Sequence, residues 1–177
     1  MALTNSTVER LAEWCYKSET IADIRAQARE HFFGGDEVEA IDYIADTGNV
    51  NSRERRFMGW FTFNFKLLDG RHPAELAAQV ILKEPKLSLA LDSIQKARYI
   101  TGVVTRVRDD RGFGMELEDE KFTINSPMLS HILRKGQLIS VHILPNGQDQ
   151  WLVSPGWLTW PISPGPHLRP QLKTVFQ

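Results

Sequence analysis

At 177 residues, with 42% apolar and 24% charged side chains, the chain has the composition of a globular protein of one ordinary domain or two small ones, which argues against wholesale disorder. Its single cysteine, Cys15, excludes an intramolecular disulfide and points to a reducing, cytoplasmic compartment. The net charge of -1 conceals a split: residues 1–50 carry four basic against ten acidic side chains, and residues 51–177 carry seventeen against twelve. Such an imbalance predicts two surfaces with different partners, or two halves that attract each other, and is too small to mark a nucleic-acid-binding domain by itself. Met1 to Lys17 lacks the basic start and apolar run of a signal peptide. No stretch reaches the ~20 apolar residues that span a bilayer.

Ser6-Thr7-Val8-Glu9 reads as a helix start, with Ser6 as N-cap and Glu9 closing a capping box. Val8, Leu11, Trp14 and Cys15 follow at helical spacing. A second helix is expected after Ser18, with Ile21, Ile24, Ala28 and Phe32 on one side, Arg25 and Arg29 on the other, and Gly34-Gly35 ending it. A short third helix is expected from Asp36, with Val38, Ile41, Tyr43 and Ile44 apolar. Ser52-Arg53-Glu54-Arg55-Arg56 then leads into Phe57-Met58-Gly59-Trp60-Phe61-Thr62-Phe63-Asn64-Phe65. Aromatic residues favour strands. The basic lead-in and a stripe of Phe57, Trp60, Phe61 and Phe65 over three turns predict a helix instead. Leu68 to Arg71 is a turn, and Pro73 opens a helix whose buried face is expected to be Leu76, Ala77, Val80 and Ile81. Leu87 to Ala97 is the last helix of this unit.

At Tyr99 the period changes from helical to alternating. Ile100, Val103-Val104 and Val107 predict a long strand, Asp109 to Gly112 a hairpin turn, and Phe113, Met115 and Leu117 a second strand. Lys121 to Asn125 is a third. Pro127 to Leu133 is a helical turn. Gln137 to Leu144 is a fourth strand, Pro145-Asn146-Gly147 a turn, and Gln150 to Val153 a fifth. Pro155 onward, including Trp157-Leu158-Thr159-Trp160-Pro161, is expected to be an extended arm. The fold class is therefore α+β: a helical N-terminal unit over Thr4 to Ala97, a small five-stranded OB/SH3-like β-barrel over 98–155, and a Pro/Trp-rich C-terminal arm over 156–177.

The run Arg55 to Phe65, followed by Leu68-Asp69-Gly70-Arg71-His72-Pro73-Ala74-Glu75-Leu76, resembles a pattern of uncharacterised bacterial proteins of the SEC-C motif group: basic, aromatic-rich, then Asp-Gly-x-x-Pro-x-Glu-Leu. The resemblance covers roughly Arg53 to Val153 and implies helices followed by a β segment. That group's motif is a Cys/His zinc knuckle. With one cysteine this chain departs from it, so no zinc-dependent role is implied, and the resemblance carries no biochemical activity.

The residues themselves carry no catalytic signature. A zinc site needs about four clustered Cys/His ligands, whereas His31, His72, His131, His142 and His167 are scattered. Cys15 lies on an apolar helix face, as structural thiols do. Gly112-Phe113-Gly114 is an isolated G-x-G that reads as a hairpin, and Asp109-Asp110 and Glu118-Asp119-Glu120 read as turns. No catalytic residue, metal or cofactor is expected. Small five-stranded barrels bind single strands by combining basic grooves with exposed aromatics. Arg106 and Arg108 share a strand face. With Arg98 and Arg111, and a second cluster of Arg53, Arg55 and Arg56, they are the candidate nucleic-acid contacts. Phe113 and Tyr99 could stack on bases but read better as core. The expected function is a non-catalytic module that binds RNA or an RNA-containing complex. The alternative is a protein–protein adaptor that uses Trp157 and Trp160 of the arm and the acidic N-terminal helices.

Overall fold

A computed structural model describes residues 3–34, 50–147 and 149–160, with the side chains of residues 50–52 and Trp160 outside the description. The helix expected from Asp36 and the arm beyond Trp160 lie outside the described residues.

Helix α1 is Asn5–Lys17, and its cap is Thr4 rather than Ser6. Thr4 is extended and its hydroxyl accepts from the Thr7 N–H at 3.2 Å, which leaves Ser6 inside the first turn. Val8, Leu11 and Cys15 form the buried stripe that the spacing predicts. A 3-10 turn, Glu19–Ile21, leads into α2, Ala22–Phe33, which ends at Gly34. The aromatic run is helical: α3 spans Val50–Phe63 and buries Phe57 and Phe61 completely, their rings stacked at 5.7 Å. Glu54 on α3 gathers the first three helices. It accepts from Arg29 of α2 at 2.6 Å and from the Tyr16 hydroxyl of α1 at 3.1 Å.

Helix α4, Pro73–Ile81, starts at its proline, and the Glu75 carboxylate accepts from the His72 N–H at 3.0 Å. Its buried face differs from the expected one. Ala74, Ala77 and Ala78 are buried, while Val80 is 65% exposed. Three alanines at this spacing give a smooth stripe on which α1 can approach, and the bulkier Val80 faces away. Helix α5 is Lys86–Gln95 and buries Ala90 and Ile94.

Five strands follow: β1 Arg98–Arg108, β2 Gly112–Leu117, β3 Glu120–Asn125, β4 Leu138–Pro145 and β5 Gln150–Trp160, with helix α6, Pro127–Ile132, between β3 and β4. They close into a barrel in the order β1-β2-β3-β5-β4, antiparallel throughout except for the parallel β3–β5 pair. Of the two expected barrel types this is the OB arrangement. Ile100, Val104, Phe113, Met115, Ile124, Ile139, Val141 and Ile143 fill its interior.

The helical unit packs directly on the barrel. β4 alternates Ile139, Val141 and Ile143 inward with Ser140, His142 and Leu144 outward, yet all six are buried, because α3 and α5 cover the outer face. Leu144 and Leu152 belong to the same apolar cluster as Phe57, Phe61 and Leu11, so the helical core continues onto the barrel.

The arm begins later than its prolines suggest. β5 runs on through Pro155 and Gly156 to Trp160, pairing Trp157 with Val141 and Thr159 with Ile139. The strand tolerates Pro155 because its register shifts there: Val153 faces Ile143 and Trp157 faces Val141, so three residues oppose His142 alone. Helix α3 seats in this bulge. A Cβ on Gly59 would fall 2.0 Å from the Pro155 carbonyl oxygen, and one on Gly156 would fall 2.3 Å from that of Arg55.

Candidate nucleic-acid interface

The outer surface of the barrel divides in two. β4 and β5 lie under helices α1, α3 and α5. On the side formed by β2, β3 and the second half of β1, α6 packs against β2 and Asn5 of α1 donates to the Asn125 carbonyl at 3.0 Å, and between these the chain builds a groove of about 400 Å³.

Its geometry starts with one irregularity in β1. Val104 faces Met115, but Arg106 faces Gly114, so Thr105 is an extra residue in the strand. The bulge shifts the alternation by one. Val107 now packs toward the barrel core, and Arg106 and Arg108 both point out and are exposed. Two rows of register partners then cross the groove. Arg106 faces Gly114, which faces Thr123, which faces Gln150. Arg108 faces Gly112, which faces Asn125. Each row puts an arginine on β1, a glycine on β2 and a polar side chain on β3. Gly112 lines the groove, and Gly114 lies beneath the Arg106 side chain.

Arg111 joins from the β1–β2 turn. The turn is tied on both sides: the Arg111 N–H donates to the Arg108 carbonyl at 3.1 Å, and the Arg111 carbonyl accepts from the Ser126 N–H at 3.1 Å. Asp110 is the acidic residue of the lining. It sits in the left-handed region at φ 60 and faces His131 of α6, whose Nε2 is 3.0 Å from its carboxylate. Arg106 lies across Gly114 and donates to the Thr123 hydroxyl at 3.3 Å.

The grouping of cations sets the groove apart. Arg29, Arg55, Arg71 and Arg98 have carboxylate partners in Glu54, Glu9, Asp69 and Glu120, and Arg10, Arg25 and Arg134 form no ion pair among the described residues but lie apart from the groove lining. Among the described residues, Arg106, Arg108 and Arg111 make no ion pair. Three guanidinium groups on a concave wall, each a planar fork of N–H donors, form a surface suited to phosphate oxygens.

The structure brings together Arg106, Arg108 and Arg111, and not the other candidates. Arg98 starts β1, ten residues from Arg108 and so roughly 30 Å away along the strand; it pairs with Glu120 at 2.7 Å and lies over Phe122. Arg53, Arg55 and Arg56 belong to α3. Arg53 lies 5.9 Å over the Phe33 ring, and Arg55 lies 5.9 Å over the Trp157 ring while pairing with Glu9. Arg56 is buried in the seam between helix and barrel, and burial lowers its pKa below the ordinary arginine range.

The stacking candidates are core residues. Phe113 is 2% exposed. Tyr99 lies edge-on to His142 at 4.6 Å, and burial raises the pKa of its hydroxyl. His142 has burial as the main cause of its low pKa, about 3, with His72 adding to it. Trp157 packs against the barrel core beneath Arg55, so its ring serves the fold. The side chain of Trp160 lies outside the description.

Sequence reasoning missed Gly114, Thr123, Asn125 and Gln150. A glycine at an outward position of an otherwise regular strand was the one available signal, since such a residue marks a bulge or a close approach.

Among the described residues no group of three or more His, Cys, Asp or Glu side chains could hold a metal ion, and no helix is long and apolar enough to cross a membrane. Fold and groove together define a small OB-type barrel, carried on a helical unit, with a groove on β1, β2 and β3 lined by three arginines. No family model, no curated protein and no solved structure matches the chain.

Proposed function

We propose that the protein is a non-catalytic binding module for RNA or an RNA-containing complex, and that the groove on β1, β2 and β3 is its contact surface. The observation that carries this is the convergence of Arg106, Arg108 and Arg111 on one open groove without carboxylate partners. Support also comes from the fold, since OB barrels bind oligonucleotides on the face of strands 2 and 3 and the adjoining loops. Arg106, Arg108 and Arg111 contact phosphate. Arg98 and Arg55, already paired, contribute little.

A filter-binding titration with a single-stranded RNA decamer at 50 and 200 mM salt tests this. Affinity falls with salt as counterions are released. The triple replacement R106A/R108A/R111A abolishes binding, and Arg98→Ala leaves it unchanged. Absence of wild-type binding at 50 mM salt refutes the proposal.

A further inference from the structure

Single-strand sites on barrels of this type ordinarily join a basic groove to exposed aromatic rings on which bases stack. Among the described residues this groove has the first part and lacks the second. Phe113 borders it but is 2% exposed, its ring inside the barrel. Phe122 of β3 is 4% exposed, and Trp151 is half-buried, edge-on against Phe122 at 5.5 Å. Tyr99 and Trp157 lie on strands β1 and β5 in contact with His142 and Arg55, among the packing of barrel and helices.

A Cβ on Gly114 would fall 2.8 Å from Arg106 Cγ and 3.0 Å from its Nε. The missing side chain is therefore the space in which Arg106 lies, spanning β2 to reach Thr123. The Thr123 bond and the Gly114 slot bias the direction of this guanidinium before any ligand arrives. Such preorganisation favours a repeating anionic backbone.

We infer, on the basis of the RNA-binding function proposed above, that the groove recognises the sugar–phosphate backbone of a single strand irrespective of its bases, with Gly114 as the positioning residue that lays Arg106 across β2 toward Thr123. At most three phosphates meet the three arginines. The slope of log affinity against log salt is then about −2, from about −0.7 per phosphate for a single strand.

The test compares fluorescein-labelled U10, dT10 and an abasic deoxyribose-phosphate decamer by fluorescence anisotropy at 50 mM salt, with a glutamate decapeptide as a second polyanion. The expected result is that the three phosphate strands bind within about three-fold of one another and the peptide at least ten-fold more weakly. Stacking is worth about 1–3 kcal/mol per base, about five-fold to over a hundred-fold for each base stacked. An abasic strand that binds ten-fold more weakly than dT10 thus overturns backbone recognition while RNA binding stands. If no strand binds, both fall. Equal binding of the glutamate peptide overturns both in favour of an acidic protein partner. For the positioning role, Gly114→Ala keeps every charge but fills the slot, and is expected to weaken U10 binding about as much as Arg106→Ala, near ten-fold. Arg106→Lys, which keeps charge and loses the fork, falls in between. Wild-type affinity in a Gly114→Ala protein with a two-state thermal transition overturns the assignment of Gly114, and a misfolded Gly114→Ala leaves the Arg106→Lys and Arg106→Ala pair to decide it: equal affinity of Arg106→Lys and wild type overturns it.

Discussion

Gly59→Ala sets two general effects against each other with opposite signs. Gly59 is interior to α3, where alanine in place of glycine stabilises a helix by about 0.5–1 kcal/mol. Its neighbour across the seam is the β5 bulge. The new methyl would lie 2.0 Å from the Pro155 carbonyl oxygen and 3.1 Å from Ser154 Oγ, where ordinary contacts begin at 3.4 Å. Neither the helix backbone nor the Pro155 carbonyl can rotate out of the way, so α3 must withdraw from the bulge. Withdrawal loosens the packing of Phe57 and Phe61, both fully buried. Overpacking of this kind costs about 1–3 kcal/mol, and with backbone on both sides the upper end applies. After subtracting the propensity gain the net loss is about 2 kcal/mol. For a chain of this size that lowers the thermal midpoint by about 4–8 °C. Urea unfolding followed by tryptophan fluorescence, with a thermal scan by circular dichroism, measures it. A Gly59→Ala protein as stable as wild type, or more so, refutes the tight seating of α3 in the bulge.

Other consequences are simpler. His142 has a pKa near 3 in the fold against 6.5 for a free histidine, so the native state binds fewer protons than the unfolded one. Its contribution is fully present above pH 6.5 and is lost at about 1.4 kcal/mol per pH unit as pH falls toward 3; His142→Gln flattens the urea-derived stability between pH 6.5 and 4, and parallel curves for the two proteins refute this. The Cys15 thiol is buried, and desolvation pushes its pKa up to about 12. Iodoacetamide at pH 8 therefore leaves it unmodified in native protein over an hour and modifies it within minutes in 6 M guanidinium; equal rates refute the assignment. Ending the chain before Trp157 removes the pairs of β5 with β4 from Val141 to Leu138 and opens the barrel, so the thermal midpoint falls by 10 °C or more, roughly. An unchanged midpoint would return Trp157 to the free arm.

Residue spacing carried most of the fold. The change from helical to alternating period at Tyr99, the turn residues at Asp109–Gly112 and Pro145–Gly147, and the proline opening α4 all set local backbone choices, and local choices are what side-chain pattern reports. The departures have a common cause in tertiary contact. Val80 looked like part of a buried face because it is apolar; α1 selected the alanine stripe instead. Pro155 looked like the end of the sheet because proline lacks a donor; a bulge opposite His142 accommodates it. The basic residues were visible, but their grouping was not. Arg98 and Arg108 belong to one strand and stand at opposite ends of it, and the arginines of α3 lie away from the groove, Arg53 over Phe33 of α2, Arg55 over Trp157 and Arg56 in the seam.

The two bulges account for the division of labour on the barrel. A regular β1 would have put Arg106 and Arg108 on the face of Val104, inside the apolar interior, where an unpaired guanidinium is untenable. The extra residue at Thr105 turns both outward while Val107 still reaches the core. A regular β5 would have ended at Pro155 and left β4 unpaired beyond Val141. The bulge there lets the strand continue and gives α3 a notch to fill. Covering the β4–β5 face with helices is possible because its outward residues are Ser140, His142, Leu144 and Leu152, none of them charged at neutral pH. The β1–β2–β3 face could not be covered in the same way. Burying Arg106, Arg108 and Arg111 would require carboxylate partners, and among the described residues they form no ion pair, Asp110 being turned to His131. Helices α3 and α5 therefore take the β4–β5 side, α6 borders the groove through His131, and the open part of the barrel is the one that carries Arg106, Arg108 and Arg111.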